Sequence, residues 1–309
     1  MSTRQILFFV GLLFLMSGCA TDKTMHKSIT AQGDGEFNQA DNAEISSEVL
    51  SVDEKIKSLI NQGDLYANRN KLDEALLTYV EAYKLNNENS TTLKRLASIY
   101  QKKGNDDILL VTYKLLLEVN PKDENILENY GVLLLKNRQF KLAENAFSDL
   151  LTININNIEA LNGMGVIYDL KKYYKKSFSF YNRLIQINKN DTRTLNNIGF
   201  SYYQQGQLDA SEKVLQKVLL LKPSNSKAIF NMALLKAKSG FYRQAYNLFT
   251  KLENESQAAN NVGYIAMMNN NHDIAEHYFN MAIEKSPSYY KKANNNLDQL
   301  KRLELNFKP

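Results

Sequence analysis

A pattern of apolar and small residues returns about every 34 residues between Ile56 and Tyr289. Its clearest copy begins at Leu195. Leu195, Ile198 and Tyr202, then Leu208, Leu215, Val218 and Leu221, recur with helical spacing. Gly206 interrupts the run and Pro223 ends it, so each copy reads as two short amphipathic helices joined by a turn.

Seven copies keep one phase, at 56–89, 90–123, 124–157, 158–191, 192–225, 226–255 and 256–289. Positions below are counted from the first residue of each copy. Position 8 is Gly or Ala throughout, from Gly63 and Ala97 to Gly263. Facing a small residue at position 20, it lets the paired helices approach closely, while large residues at positions 11 and 24 fill the space on either side. The turn falls on Asn70, Gly104, Gly206, Gly240 and Asn270, which tolerate a left-handed backbone; Arg138 and Lys172 are exceptions. A chance bundle would not hold this register for over 200 residues.

Period and pattern resemble the tetratricopeptide repeat. The expected fold is all-α, a solenoid of seven such repeats filling 54–309 with a capping helix over 290–305. Ala293, Leu297, Leu300 and Leu303 supply that helix's apolar face. Two departures predict local changes. Leu109 at position 20 should splay the second repeat, and the sixth repeat, four residues short, should bend the superhelix where it meets the seventh.

The N-terminus differs. Arg4 precedes an unbroken apolar or glycine run from Ile6 to Met16, too short to span a bilayer and typical of a signal peptide over 1–18. The run ends in Leu15, Met16, Ser17, Gly18 and Cys19, which resembles the lipobox of bacterial lipoproteins. In that family the cysteine becomes the first mature residue and carries the lipid. Cys19 is also the only cysteine of the chain. The alternative is ordinary cleavage after Ala20 with Cys19 discarded. Ala20 in place of Asp implies, by the same resemblance, sorting to the outer membrane. Residues 19–53 mix small and polar types and read as a flexible tether.

Composition bounds the chemistry. With 44% apolar residues the chain can fold, and a net charge of +5, evenly spread, gives no case for nucleic acid. No Gly-rich phosphate loop, paired cysteines or cofactor motif is present, and three histidines are the whole supply. His272 and His277 stand five apart, about 140° around a helix, and so on different faces. An enzyme is not expected, nor a cofactor or metal.

Such an array presents a concave surface lined by first helices, suited to extended peptides. Position 6 is Asn61, Asn129, Asn197, Asn231 and Asn261, with Arg95 and Gly163 in the other copies. An amide donates and accepts at once, so this row suits peptide backbone; alternatively these side chains bond only to their neighbours. Repeats 1–2 offer polar groove positions: Lys57, Asp64, Lys94, Arg95, Ser98 and Gln101. Repeats 5–7 offer Phe200, Tyr203, Phe230, Leu234, Tyr264, Met267 and Met268. These form an apolar anchor site if they share the concave face, or core if they pack between helices.

The segment from Ala259 to Met268, continued from Ser286 to Leu297, resembles the C-terminal region of the TadD lipoproteins of Tad/Flp pilus assembly. That resemblance implies an outer-membrane lipid anchor with the groove in the periplasm, and protein partners such as the secretin or other pilus components. A type IV pilus pilotin and a docking scaffold for cell-wall hydrolases are the competing readings.

Overall fold

The computed structural model describes residues 51–288 and 290–306. The signal peptide, Cys19 and the tether up to residue 50 lie outside the described residues.

The described residues form helices alone. Each repeat contributes a first and a second helix: α1 (Val52–Asn68) and α2 (Leu72–Leu85), α3 (Ser90–Lys102) and α4 (Asp106–Val119), α5 (Glu124–Lys136) and α6 (Phe140–Ile153). The fourth and fifth repeats give α7 (Ile158–Leu170), α8 (Tyr174–Ile187), α9 (Thr192–Gln204) and α10 (Leu208–Leu221). The sixth and seventh give α11 (Ser226–Lys238), α12 (Tyr242–Phe249), α13 (Glu255–Met268) and α14 (His272–Glu284). The expected capping helix is α15 (Lys291–Asn306), whose Ala293, Leu297 and Leu300 are buried.

Local chemistry explains where these helices begin. Every first helix is N-capped by a Ser, Asn or Asp side chain that accepts an amide of the first turn: Ser51, Asn89, Asp123, Asn157, Asp191, Asn225 and Asn254. Ser51 and Glu54 form a full capping box, so α1 starts at Val52, two residues before the expected start of the repeat domain at residue 54. At the C-caps of α2, α4, α6 and α8, the side chains of Asn86, Asn120, Asn154 and Asn188 accept the amide two residues on. The seven interhelical turns all pass through the left-handed region. This includes Arg138 at φ 60° and Lys172 at φ 61°, so the two exceptions by residue type are none by conformation.

Packing within a repeat centres on position 24. Tyr79, Phe147, Tyr181, Phe249 and Phe279 there are among the largest fully buried side chains. Each such burial contributes roughly 1.5–3 kcal/mol. The glycine at position 8 makes room for that ring: a Cβ on Gly131 would lie 2.6 Å from Phe147, and one on Gly263 2.7 Å from Phe279. On Gly63 and Gly165 it would overlap Tyr79 and Tyr181 outright. The small residue therefore accommodates the large one at position 24 as well as the small one at position 20.

Both irregular repeats leave a local mark on the helices. Leu109 is buried at position 20, the backbones of α3 and α4 approach each other less than those of any other within-repeat pair, and α3 reaches α5 only through side chains such as Lys94, 2.9 Å from the N-cap Asp123. The missing residues of repeat 6 fall in α12, with 8 residues where the other second helices have 13 or 14.

Elsewhere the backbones of first helices of neighbouring repeats come close, while those of second helices stay apart and meet only through side chains such as Tyr246 and Tyr278, whose rings are 6.0 Å apart. An array with its inner row in contact and its outer row spread curves around the inner row. The first helices therefore line the concave side.

Candidate partner-binding groove

On the concave face, position 6 does not carry a row of equivalent free amides. Asn197 donates through Nδ2 to Oδ1 of Asn162 at 2.7 Å, and Asn231 does the same to Asn196 at 3.0 Å. In both cases position 6 of one first helix bonds to position 5 of the one before. Asn296 of α15 continues the row onto Asn260 at 2.9 Å, leaving the buried Nδ2 of Asn260 without a partner. In repeat 6, position 5 is Phe230, which offers no acceptor, and Asn261 turns to Glu253 at 2.7 Å. Asn129 bonds the Asn125 carbonyl of its own helix at 2.7 Å and stays exposed, as does Asn61. The amides of repeats 5–7 thus bond to neighbouring protein groups, while those of repeats 1 and 3 face solvent.

Arg95 also bonds to the preceding first helix, in charged form and onto position 9. Its Nε lies 2.7 Å and its Nη2 2.9 Å from the two oxygens of Asp64 in the preceding first helix, and Tyr79 donates to that carboxylate at 2.5 Å. Burial pushes the Asp64 carboxyl up, but the Arg95 and Tyr79 hydrogen bonds outweigh it and hold it below the usual carboxylate range. Lys94, Arg95, Ser98 and Gln101 are exposed along α3, with Val132 on α5 43% exposed.

The apolar set of repeats 5–7 divides. Met267 is 4% exposed and packs with Phe279, Leu297 and Leu300, so it is core under the capping helix and not a groove residue. Position 12 is covered there because α15 closes over α13. Phe230 is half-buried with its ring 5.3 Å from Phe249, and Leu234 packs on the same cluster. Tyr203 packs against the cluster of Leu195, Leu215 and Met232. Phe200 stacks on Tyr203 at 5.8 Å and remains half-exposed, as does Tyr264, while Met268 is 46% exposed. The surface left at positions 9 and 13 is Phe200, the edge of Leu234, Tyr264 and Met268.

One buried cluster escaped the sequence pattern. Asp169, 5% exposed, accepts from Ser177 at 2.5 Å, Ser201 at 2.7 Å and Tyr181 at 2.9 Å. Burial pushes its carboxyl above the ordinary range, against the pull of these three hydroxyls. With hydroxyls as its only neighbours, it acts as a polar pin between repeats 4 and 5. The only early signal was an acid at a position that is Tyr203 and Ala237 in the next two copies.

No group of three or more His, Cys, Asp or Glu among the described residues is arranged to hold a metal. His272 opens α14, and the His277 ring stands edge-on to Tyr278 at 5.2 Å. No described helix is long and apolar enough to cross a membrane.

Models of the tetratricopeptide repeat match residues 56–89, 158–191 and 192–222, which coincide with the first, fourth and fifth copies. A tetratricopeptide repeat protein from Parabacteroides merdae shares 20% identity over 80% of this chain and 99% of its own, with a TM-score of 0.65. The C-terminal part of a repeat protein from Cytophaga hutchinsonii matches at 18% identity, over 77% and 99%, with a TM-score of 0.52. MamA from Desulfovibrio magneticus matches at 18%, over 57% and 99%, with a TM-score of 0.51. At these identities the likeness is one of fold. No curated protein matches the sequence. The chain is a tetratricopeptide-repeat solenoid.

Proposed function

We propose that this chain is a non-enzymatic scaffold that holds a protein partner along its concave face, and that Cys19 anchors it to the outer membrane with the groove in the periplasm. The observation that carries the scaffold reading is the groove itself. Its first helices present exposed polar side chains at Lys94, Ser98 and Asn129 and an apolar strip at Phe200, Tyr264 and Met268. Such a surface accepts an extended segment through backbone hydrogen bonds at one end and apolar side chains at the other.

The anchor rests on the sequence around Cys19, and the pilus role on the resemblance of the last repeat and cap to TadD lipoproteins. The partner in that reading is the secretin or another Tad/Flp pilus component. Deletion of the gene should lower outer-membrane secretin multimers, and Cys19→Ser should release the protein from the membrane fraction. Normal multimers with altered cell-wall turnover would instead indicate a docking scaffold for cell-wall hydrolases.

A further inference from the structure

The turn edge of the solenoid, where first helices hand over to second helices, is unevenly charged. Repeat 3 places Lys136, Arg138 and Lys141 there, and repeat 4 places Lys171, Lys172, Lys175 and Lys176. Surface carboxylates meet part of this charge. Asp106 pairs with Lys136 at 2.7 Å and Glu144 with Lys171 at 2.5 Å, and Glu144 also lies near Lys141. Asp169 is buried and engaged by three hydroxyls, not by these ammonium groups.

On either side the charge stops. Repeats 1 and 2 set Arg69, Lys71, Lys102 and Lys103 against Asp73, Glu74 and Asp107, besides the Asp106 that pairs with Lys136. Repeat 5 offers Gln204, Gln205, Gln207 and Asp209. Between these flanks lies an open cleft of about 670 Å³ lined by Lys172, Tyr173, Tyr174, Lys175, Lys176 and Gln205. Tyr173 is 60% exposed and its ring sits 6.4 Å from Tyr168, while the Lys176 ammonium stands 5.1 Å over the Tyr168 ring.

We propose that this edge docks an acidic, extended segment of a protein partner, at a site separate from the concave groove. Size argues for a segment over an anionic lipid surface. Two repeats spaced by helix packing at ~10 Å each span about 20 Å, the length of roughly six residues of extended chain. A flat membrane would meet the whole edge, whose repeat 5 and repeat 7 stretches carry no lysine or arginine, and whose repeat 6 stretch carries Lys236 paired with Glu212, Lys238 bonded to Asn269, and Arg243. Tyrosines between the lysines give the segment's backbone and aliphatic stems a surface to lie on. The inference rests on the scaffold reading but not on the groove.

The test uses the full-length chain with fluorescein-labelled hexaglutamate, and with vesicles of equal parts phosphatidylcholine and phosphatidylglycerol. Hexaglutamate should bind, more weakly as salt rises, and Lys172→Gln/Lys175→Gln/Lys176→Gln should weaken it about tenfold. The single variants Lys172→Gln and Lys175→Gln should each weaken it about twofold, which keeps the test valid if the triple variant misfolds. Asn129→Ala/Phe200→Ala in the groove should leave hexaglutamate binding unchanged, so loss of groove function and loss of this edge are told apart. Unchanged hexaglutamate affinity in the lysine variants would overturn the proposal. So would vesicle binding that the lysine variants lose while hexaglutamate binding stays.

Discussion

Asn231 donates its side-chain N–H to Oδ1 of Asn196 across 3.0 Å, joining the first helices of repeats 5 and 6. Asn197 and Asn162 repeat the bond one junction earlier, at 2.7 Å. The position 6 amides therefore do two jobs along one groove. In the C-terminal half they hold the concave wall together, and in the N-terminal half Asn61 and Asn129 are open to a partner.

Asn197→Ala and Asn231→Ala should each cost about 1 kcal/mol, the net worth of one hydrogen bond. Asn129→Ala, at an exposed side chain bonded only within its own helix, should stay within about 0.5 kcal/mol of wild type. Urea midpoints check both. Equal, near-zero effects at all three positions would remove the structural role of the Asn–Asn pairs.

Turn residues offer an opposite pair of changes. Lys172 sits at φ 61° with a Cβ, so Lys172→Gly should stabilise the array by about 0.5–1 kcal/mol. Gly206 sits at φ 75° with nothing near its missing Cβ, so Gly206→Ala should destabilise by about 1 kcal/mol through backbone strain alone. Melting temperatures of the two variants should move in opposite directions.

Gly165→Ala should be the costlier alanine, at about 2–3 kcal/mol, because the new methyl would occupy the space of the Tyr181 ring. The cost should fall when Tyr181 is shortened in the same chain. An unchanged cost of Gly165→Ala in the chain with Tyr181 shortened, measured against that single variant, would place the strain elsewhere.

The Asp169 cluster predicts a pH dependence. Burial, the largest influence, raises this carboxyl above its unfolded value. The penalty for ionising it is therefore absent below the unfolded value and grows as pH rises through the folded one. Asp169→Asn should stabilise the array at pH 7, with the gain shrinking as pH falls toward ~4. Asp169→Ala should instead lose about 2–3 kcal/mol, since Ser177, Ser201 and Tyr181 would be left without their acceptor. Urea unfolding of both variants at the two pH values separates these outcomes.

Fold and register were legible in the sequence because they depend on period and residue size. A 34-residue phase with Gly or Ala at position 8 and Tyr, Phe or, in the fifth copy, Leu at position 24 leaves little freedom in how the helices pair. The groove was legible only in part. Helical spacing cannot tell a face covered by the next helix from an open one, which is why Met267 read as an anchor and proved to be core beneath α15. The abundant Asn was harder still. Asn89, Asn157, Asn225 and Asn254 cap helices, and Asn86, Asn120, Asn154 and Asn188 close turns. Both roles depend on backbone geometry that composition does not carry. Asp169 finds its donors in α8 and α9, and only the fold brings them together.

The central claim is that the concave face holds the partner. A photo-crosslinking amino acid placed at Asn129 and at Phe200, and for comparison at Leu77 and Leu220 on second helices, would test it in cells. Leu77 and Leu220 are 68% and 83% exposed, so both report on the outer face without disturbing the core. A partner held on the concave face gives a discrete adduct with one protein from Asn129 and Phe200 and none from the other two positions. Adducts from Leu77 and Leu220 with none from the groove would contradict it.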